Sequence, residues 1–359
     1  GGESGPAIVP GKPGESLLIE AVSYRSSDLE MPPKKKLGRR QVEDLTRWVA
    51  MGAPWSGGEG VAAEGDKPEK EFAISEEDRR YWAFQSLRKQ EEKHFDEIIE
   101  ATLEEKKLVA NSPAPRGVLI RRAYYTLLGL PPSFAEVQAF ANDPDPAAFP
   151  KLVDRLLAMP EYGERWGRHW LDVVRFAQSN GYERDDEKLH AWRYRDYVIS
   201  SFNRDKPYDR FVLEQIAGDE LPDGGDEGWI ATGFHRLGVW DDEPDDKRAA
   251  EFDGQDDILK TTTETFLGLT VGCARCHDHM FDPISQRNYY ELQAFFRNVK
   301  PYNKPGADTI RKTGAGDALV VTERGNKPID THLLIRGNAG RPSDKVEPHF
   351  PEILGGGSP

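Results

Sequence analysis

The stretch Gly272-Cys273-Ala274-Arg275-Cys276-His277 holds both cysteines of this 359-residue chain, three positions apart and followed at once by a histidine. Two cysteines and a histidine placed at random fall in this C-x-x-C-H order in on the order of one chain in 8,000. Thiols at that spacing reach the two vinyl groups on one edge of a haem and form thioethers, while the adjacent imidazole turns under the ring to bind iron. The residues therefore predict covalent haem c, with Cys273 and Cys276 as attachment points and His277 as an iron ligand. Two other chemistries use similar residues. A redox-active C-x-x-C pair needs a strand, a turn and a helix around it, whereas positions 259–269 read as a helix running into the motif. A zinc site on Cys273, Cys276 and His279 needs a fourth ligand from elsewhere.

The other axial position lies across the porphyrin plane, and with Fe–ligand bonds near ~2 Å, His279 and Met280 are too close in sequence to reach around the ring. His169 is the first candidate, because it shares a helical pattern with Trp166, Val173 and Phe176. His190, His235 and His332 are the others, and an open position would admit ligand or peroxide chemistry. Directly after the motif, Asp278, His279 and Asp282 offer a carboxylate to hold the second ring nitrogen of His277. The acidic run Asp241, Asp242, Glu243, Asp245 and Asp246, with Asp253, Asp256 and Asp257, has the oxygen density of a Ca2+ site but not the spacing of an EF-hand loop. Its plainer reading is a solvated loop in which Asp256 and Asp257 stabilise the start of the helix leading to the motif. Trp166, Trp170, Trp192, Trp240, Tyr182, Tyr194 and Tyr197 read as core around a large apolar cofactor, or as a sugar-binding or hole-hopping platform.

Outward from the motif, helical patterns at 95–108, 118–128, 134–141, 148–159, 164–177 and 192–202 follow one another, separated by Pro, Gly and Asn/Asp turns. Nearer the start, Val42, Leu45, Trp48 and Val49 recur at helical spacing ahead of Gly52. The stretch 56–70 is rich in Gly, Ala and charge and reads as a linker. Beyond residue 300, the β-prone runs 318–322 and 332–335 predict a small sheet or hairpin. The fold class is thus mainly α, divided as 1–55, the linker 56–70, a helical domain 71–300 and a β-prone extension 301–359. No apolar run approaches ~18 residues, so no membrane span is expected. A net charge of −14 repels phosphate backbones, which argues against nucleic acid as a partner. No P-loop, dinucleotide glycine turn or Ser-His-Asp order occurs. Gly1-Gly2-Glu3-Ser4 at one end and Gly355-Gly356-Gly357-Ser358-Pro359 at the other read as the edges of a fragment.

Pro10-Gly11-Lys12-Pro13-Gly14-Glu15-Ser16, Met31-Pro32-Pro33 and Gly52-Ala53-Pro54-Trp55 resemble the end of the planctomycete cytochrome c domain. Farther on stand Leu119-Ile120-Arg121-Arg122, Leu128-Gly129-Leu130-Pro131-Pro132, Tyr162-Gly163-Glu164-Arg165-Trp166 with His169-Trp170-Leu171-Asp172, and Trp192-Arg193-Tyr194-Arg195-Asp196-Tyr197-Val198. With the cysteine motif and Phe281-Asp282-Pro283-Ile284, these resemble the family of unknown function that follows that domain in large planctomycete and verrucomicrobial proteins. The resemblance spans most of the chain, from about Tyr81 to about residue 300 in its second part, and departs at Met280, where the family usually has lysine. It implies a helical c-type haem domain after a short cytochrome c remnant, in which Met31 is the ligand of a first haem whose attachment motif this sequence lacks. It also implies export, because the thioether bonds are made outside the cytoplasm. The expected function is an extracytoplasmic c-type cytochrome passing electrons to a redox partner protein or adjacent domains. The alternatives are a haem-dependent oxidoreductase using His169, Asp172 and Arg175 on a small molecule or carbohydrate, and a haem-bearing scaffold.

Overall fold

Ser133 and Glu136 show how local chemistry starts the helices here. The Ser133 hydroxyl accepts the Glu136 N–H at 3.3 Å, and the Glu136 carboxylate accepts the Ser133 N–H at 2.8 Å, so two amides that a helix leaves orphaned find partners. Ser285 and Asn288 repeat the exchange, with both bonds at 3.1 Å. A computed structural model of the chain describes residues 6–25, 29–32, 36–54, 72–87, 94–301, 310–314, 316–325 and 327–356. The expected linker 56–70 lies outside the described residues. The chain forms two units, Gly1–Glu71 and Phe72–Pro359.

In the first unit, α1 (Leu17–Ser23) and α2 (Arg39–Ala50) pack together. Ile19, Ala21 and Val22 from α1 and Val49 from α2 are buried. Of the four apolar positions that predicted α2, only Val49 is fully buried, and the helix stops before Gly52, whose φ is +90°.

The second unit is mainly α, as the periodicity predicts. It opens with α3 (Glu76–Arg80), α4 (Phe95–Glu105), α5 (Arg116–Leu127), α6 (Phe134–Asn142), α7 (Ala148–Leu157), α8 (Pro160–Val173) and α9 (Trp192–Asn203). There follow α10 (Tyr208–Ala217), α11 (Gly225–Ala231), α12 (Lys247–Phe266) and α13 (Gln286–Phe295). The spacing missed α3, α10, α11 and α13. It also placed the helix before the motif too late, since α12 begins twelve residues upstream of 259 with Asp246 as its cap. Helix α8 starts and ends four residues earlier than the pattern 164–177 suggests: Pro160 stands at its first position, where a missing N–H costs nothing, and Arg175 beyond its end has φ +56°. Two antiparallel pairs close the chain, β1 (Ile310–Thr313) with β2 (Gly316–Leu319) and β3 (Thr331–Leu334) with β4 (Pro342–Val346). The run expected as a strand over 318–322 leaves the ladder after Leu319, because the Val321 N–H bonds instead to the Thr232 hydroxyl at 3.1 Å.

Among the described residues four apolar clusters hold this unit, the smallest of them Ile258, Val299 and Val321. Ile120, Tyr124, Phe140 and Leu156 join α5, α6 and α7. Tyr194, Tyr197, Val198, Phe211, Phe234 and Leu237 form a second, against which Trp170 packs. Phe252, Leu259, Val271, Ala274, Ile284, Tyr289, Tyr290 and Leu334 form the third, beneath the cysteine motif. The aromatic residues expected to surround a cofactor divide: Trp170, Tyr194 and Tyr197 close on one another and on Phe211, whereas Tyr182 and Trp192 remain partly exposed.

Helices α8 and α9 meet at glycines because nothing larger fits. A Cβ added to Gly163 would stand 2.4 Å from the Ile199 carbonyl oxygen and 2.6 Å from the Asn203 side chain, while one added to Gly167 would meet Ile199 at 3.2 Å. Gly163→Ala is expected to destabilise the protein by ~1–3 kcal/mol through overpacking, and Gly167→Ala by clearly less. Urea midpoints of the two variants check this order.

Candidate haem-attachment site

The motif is positioned by a short turn with a fixed inside and outside. After α12 ends, Gly268 at φ +66° redirects the chain into a 3-10 turn, Val271–Arg275. Three residues per turn put i and i+3 on one side. Val271 and Ala274 are accordingly both fully buried, and Cys273 and Cys276 are both exposed free thiols. The C-x-x-C spacing thus becomes two sulfurs on one face.

Arg275, between the cysteines, anchors the turn from below. Its guanidinium reaches Asp253 at 2.6 Å and Asp256 at 3.4 Å on α12. Its carbonyl accepts from the Tyr290 hydroxyl at 3.0 Å and the Gln286 amide at 2.9 Å, both on α13. Asp256 is shared, accepting also from the Tyr289 hydroxyl at 2.7 Å. Burial first, and then the Asp256 charge, push the Tyr289 phenol well above its ordinary pKa, so it stays a donor.

His277 is exposed, and its Nδ1 lies 2.7 Å from the Asp278 carbonyl oxygen. A carbonyl only accepts, so Nδ1 carries the proton and Nε2 presents a lone pair outward. A backbone carbonyl therefore does the work expected of a carboxylate. The Asp278 carboxylate instead accepts the Gln286 N–H at 2.8 Å, at the start of α13. His279 is engaged at both nitrogens: Nδ1 accepts the Asp282 N–H at 2.7 Å, which leaves Nε2 to donate to the Thr270 hydroxyl at 3.2 Å. That removes it from the zinc alternative. Among the described residues no group of three or more His, Cys, Asp or Glu side chains converges as a metal cage.

Sequence reasoning missed Gly337, in the turn Ile335–Gly337 after β3. Its φ is +71°, and a Cβ there would stand 2.6 Å from the Cys276 sulfur. A glycine following Leu334-Ile335-Arg336 was the available signal. The residues present fit a haem: two exposed thiols on one face, an imidazole with its Nε2 lone pair outward, and an uncovered apolar edge in Met280 and Phe281, 78% and 83% exposed.

The other expected ligands are dispersed. His169 is exposed on α8, edge-on to Trp166 at 5.6 Å. His190 is half-buried with φ +65°, and His332 pairs in register with Lys345. His235 is buried with Nε2 donating to the Ile216 carbonyl at 3.0 Å, so it cannot ligate iron without leaving the core. Met31 is exposed on the loop before α2.

The acidic segment also divides its tasks. Asp246 caps α12, Glu243 pairs with Arg184 at 2.6 Å, and Asp253 holds Arg275. Asp256 and Asp257 lie well inside α12 rather than at its start, so they do not stabilise its N-terminus as expected; Asp257 pairs with Arg175 at 2.6 Å. That ion pair, with the Arg175 guanidinium over the Phe234 ring, engages one member of the supposed catalytic set, while His169 and Asp172 are exposed.

Residues 94–301 match the family described as a protein of unknown function, DUF1549, and residues 1–35 match the family described as planctomycete cytochrome C. The cysteine turn lies inside the first match and Met31 inside the second. No curated protein matches the chain, and no solved structure does.

Arg275→Met strands Asp256 and Tyr289 in the core and is expected to cost roughly 2–3 kcal/mol; adding Asp256→Asn should recover part of it, read in denaturant midpoints. Burial, with the nearby Arg175 and Arg236 charges, holds His235 down to about 4, against 6.5 for a free imidazole. The unfolded chain therefore binds the extra proton between those values. The contribution of His235 is complete above about pH 6.5 and is lost as the pH falls toward 4, by about 3 kcal/mol. The stability–pH curve of His235→Gln should be flatter than that of the parent by that amount.

Proposed function

We propose that this chain, which belongs to the protein family of unknown function DUF1549, is an extracytoplasmic c-type cytochrome module that relays electrons to a redox partner. The observation that carries the reading is the outward-facing set on one turn: Cys273 and Cys276 on a common face and His277 with its Nε2 lone pair exposed. The match of residues 1–35 to planctomycete cytochrome C supports haem c in the same chain and a location outside the cytoplasm. No helix among the described residues is long and apolar enough to cross a membrane.

When bound, a haem supplies a one-electron centre. The chain's own residues position it. Arg275 prevents the turn from rotating, so the sulfurs face the same way. The Asp278 carbonyl fixes the His277 tautomer. Gly337 leaves Cys276 room. Met280 and Phe281 offer apolar surface that a porphyrin would take out of water. We keep His169 as first candidate for the second axial position, because its ring is exposed. Met31 is assigned to a different haem, since the two cysteines of the sequence form a single attachment motif. The net charge of −14 favours a basic partner surface.

Co-expression with a cytochrome c maturation system should give a coloured protein whose denatured mass is increased by one haem. Cys273→Ala with Cys276→Ala should lose that increment entirely. His277→Ala should keep a covalent porphyrin when attachment succeeds but change its spin state. A matured protein without a Soret band and at its apopolypeptide mass would refute the reading. A six-coordinate low-spin spectrum that becomes high-spin in His169→Ala would confirm the axial assignment; an unchanged spectrum would remove it.

A further inference from the structure

A separate hollow lies against helices α12 and α13, away from the cysteine turn. It encloses about 410 Å3, within the range of small-molecule sites. Its walls are apolar: Leu259 and Phe266 from α12, Leu292, Phe295 and Phe296 from α13, and Phe350, whose ring lies 4.9 Å from that of Phe295. The charged residues lining it, among those described, are all acids: Asp219, Glu220 and Glu323. No ion pair engages any of the three among the described residues, although Arg and Lys partners are found for Glu214, Asp223 and Glu251 nearby in sequence. Position 323 is fixed by a backbone bridge to Val299, and the amide of Glu220 is held by the Ala217 carbonyl at 3.1 Å.

The same three carboxylates also border an adjoining hollow of about 490 Å3, where Lys300 and Arg311 lie. Arg311 is stacked over Trp229 at 3.7 Å. Arg311 tempers the charge of Asp219 from that side, and among the described residues no cationic side chain lines the apolar hollow itself. Burial pushes the Asp219 and Glu323 carboxyls up, and the neighbouring acids push Glu323 further. Asp219 is half-buried, while Glu220 and Glu323 are exposed at the rim, where they give the mouth of the hollow a negative potential that an incoming cation would meet.

We propose that this cavity is a binding site for a small organic cation, an alkyl- or arylalkylammonium whose apolar body fills the space between α12 and α13 and whose charged head meets Asp219, Glu220 and Glu323. The site uses none of the residues assigned to haem attachment, so it stands or falls independently of that reading.

Three probes of one shape test it by isothermal titration of the full chain: 4-phenylbutylammonium, 4-phenylbutanol and 4-phenylbutyrate. The ammonium is expected to bind about tenfold or more tighter than the alcohol, and the carboxylate weakest of all. Asp219→Asn with Glu323→Gln should reduce the ammonium-to-alcohol ratio to near one while leaving the alcohol's affinity in place, which also shows that the variant is folded. Ala217→Trp, entering from the end of α10, should abolish binding of all three. Equal affinities for the ammonium and the alcohol, an ammonium preference that survives the double substitution, or unchanged binding in Ala217→Trp would each overturn the proposal.

Discussion

The guanidinium of Arg275 reaches beneath its own backbone to two carboxylates of α12, while its carbonyl is held by two side chains of α13. A charge drawn toward the interior must remain paired, because stranding it or its partners costs several kcal/mol. That requirement fixes the rotation of the turn about its axis. Once Arg275 points down, Val271 and Ala274 fill the core, and the residues flanking Arg275 at the i, i+3 spacing have nowhere to go but out. Both thiols and the imidazole become available to an external group through a contact that involves none of them.

Identical residue types do unlike work around this anchor. His277 offers a nitrogen to solvent, His279 uses both of its nitrogens to shape the loop that follows, and His235 is a neutral core residue. The carboxylates divide in the same way. Asp278 joins the start of α13, Asp253 and Asp256 hold the arginine, Asp257 holds another arginine on a different cluster, and Asp246 caps a helix. Density of acidic residues along the chain is thus a poor guide to a cation site, since these side chains are claimed by separate donors on different elements once the helices pack.

Helix α12 serves two faces at once. Asp253, Asp256 and Lys260, at spacings of three and four, look toward the cysteine turn, where the Lys260 side chain also packs against Gly272. Leu259, Thr262, Thr263 and Phe266 form the neighbouring stripe, along the apolar hollow. A helix that is used all round in this way has no single apolar face. This is why its first three turns were not legible as a helix in the sequence: the polar residues that it buries, such as Gln255 and Asp256, break the periodicity.

The amino-acid order alone determined the mainly helical class, the family, and the one strong chemical motif, because each is written in local spacing: apolar residues at three and four, and two cysteines and a histidine within five positions. It also placed α6 and α9 nearly to the residue, where a capping serine or a clear apolar start marks the boundary. What it could not show depends on residues far apart in the chain. The Arg275 anchor joins positions 253, 256, 286 and 290; Gly337 meets Cys276 across sixty residues; the acids of the hollow come from 219, 220 and 323. Only tertiary packing decides such pairings, because a side chain's partner is set by which surfaces the folded core brings within hydrogen-bonding distance, and local spacing carries no information about that.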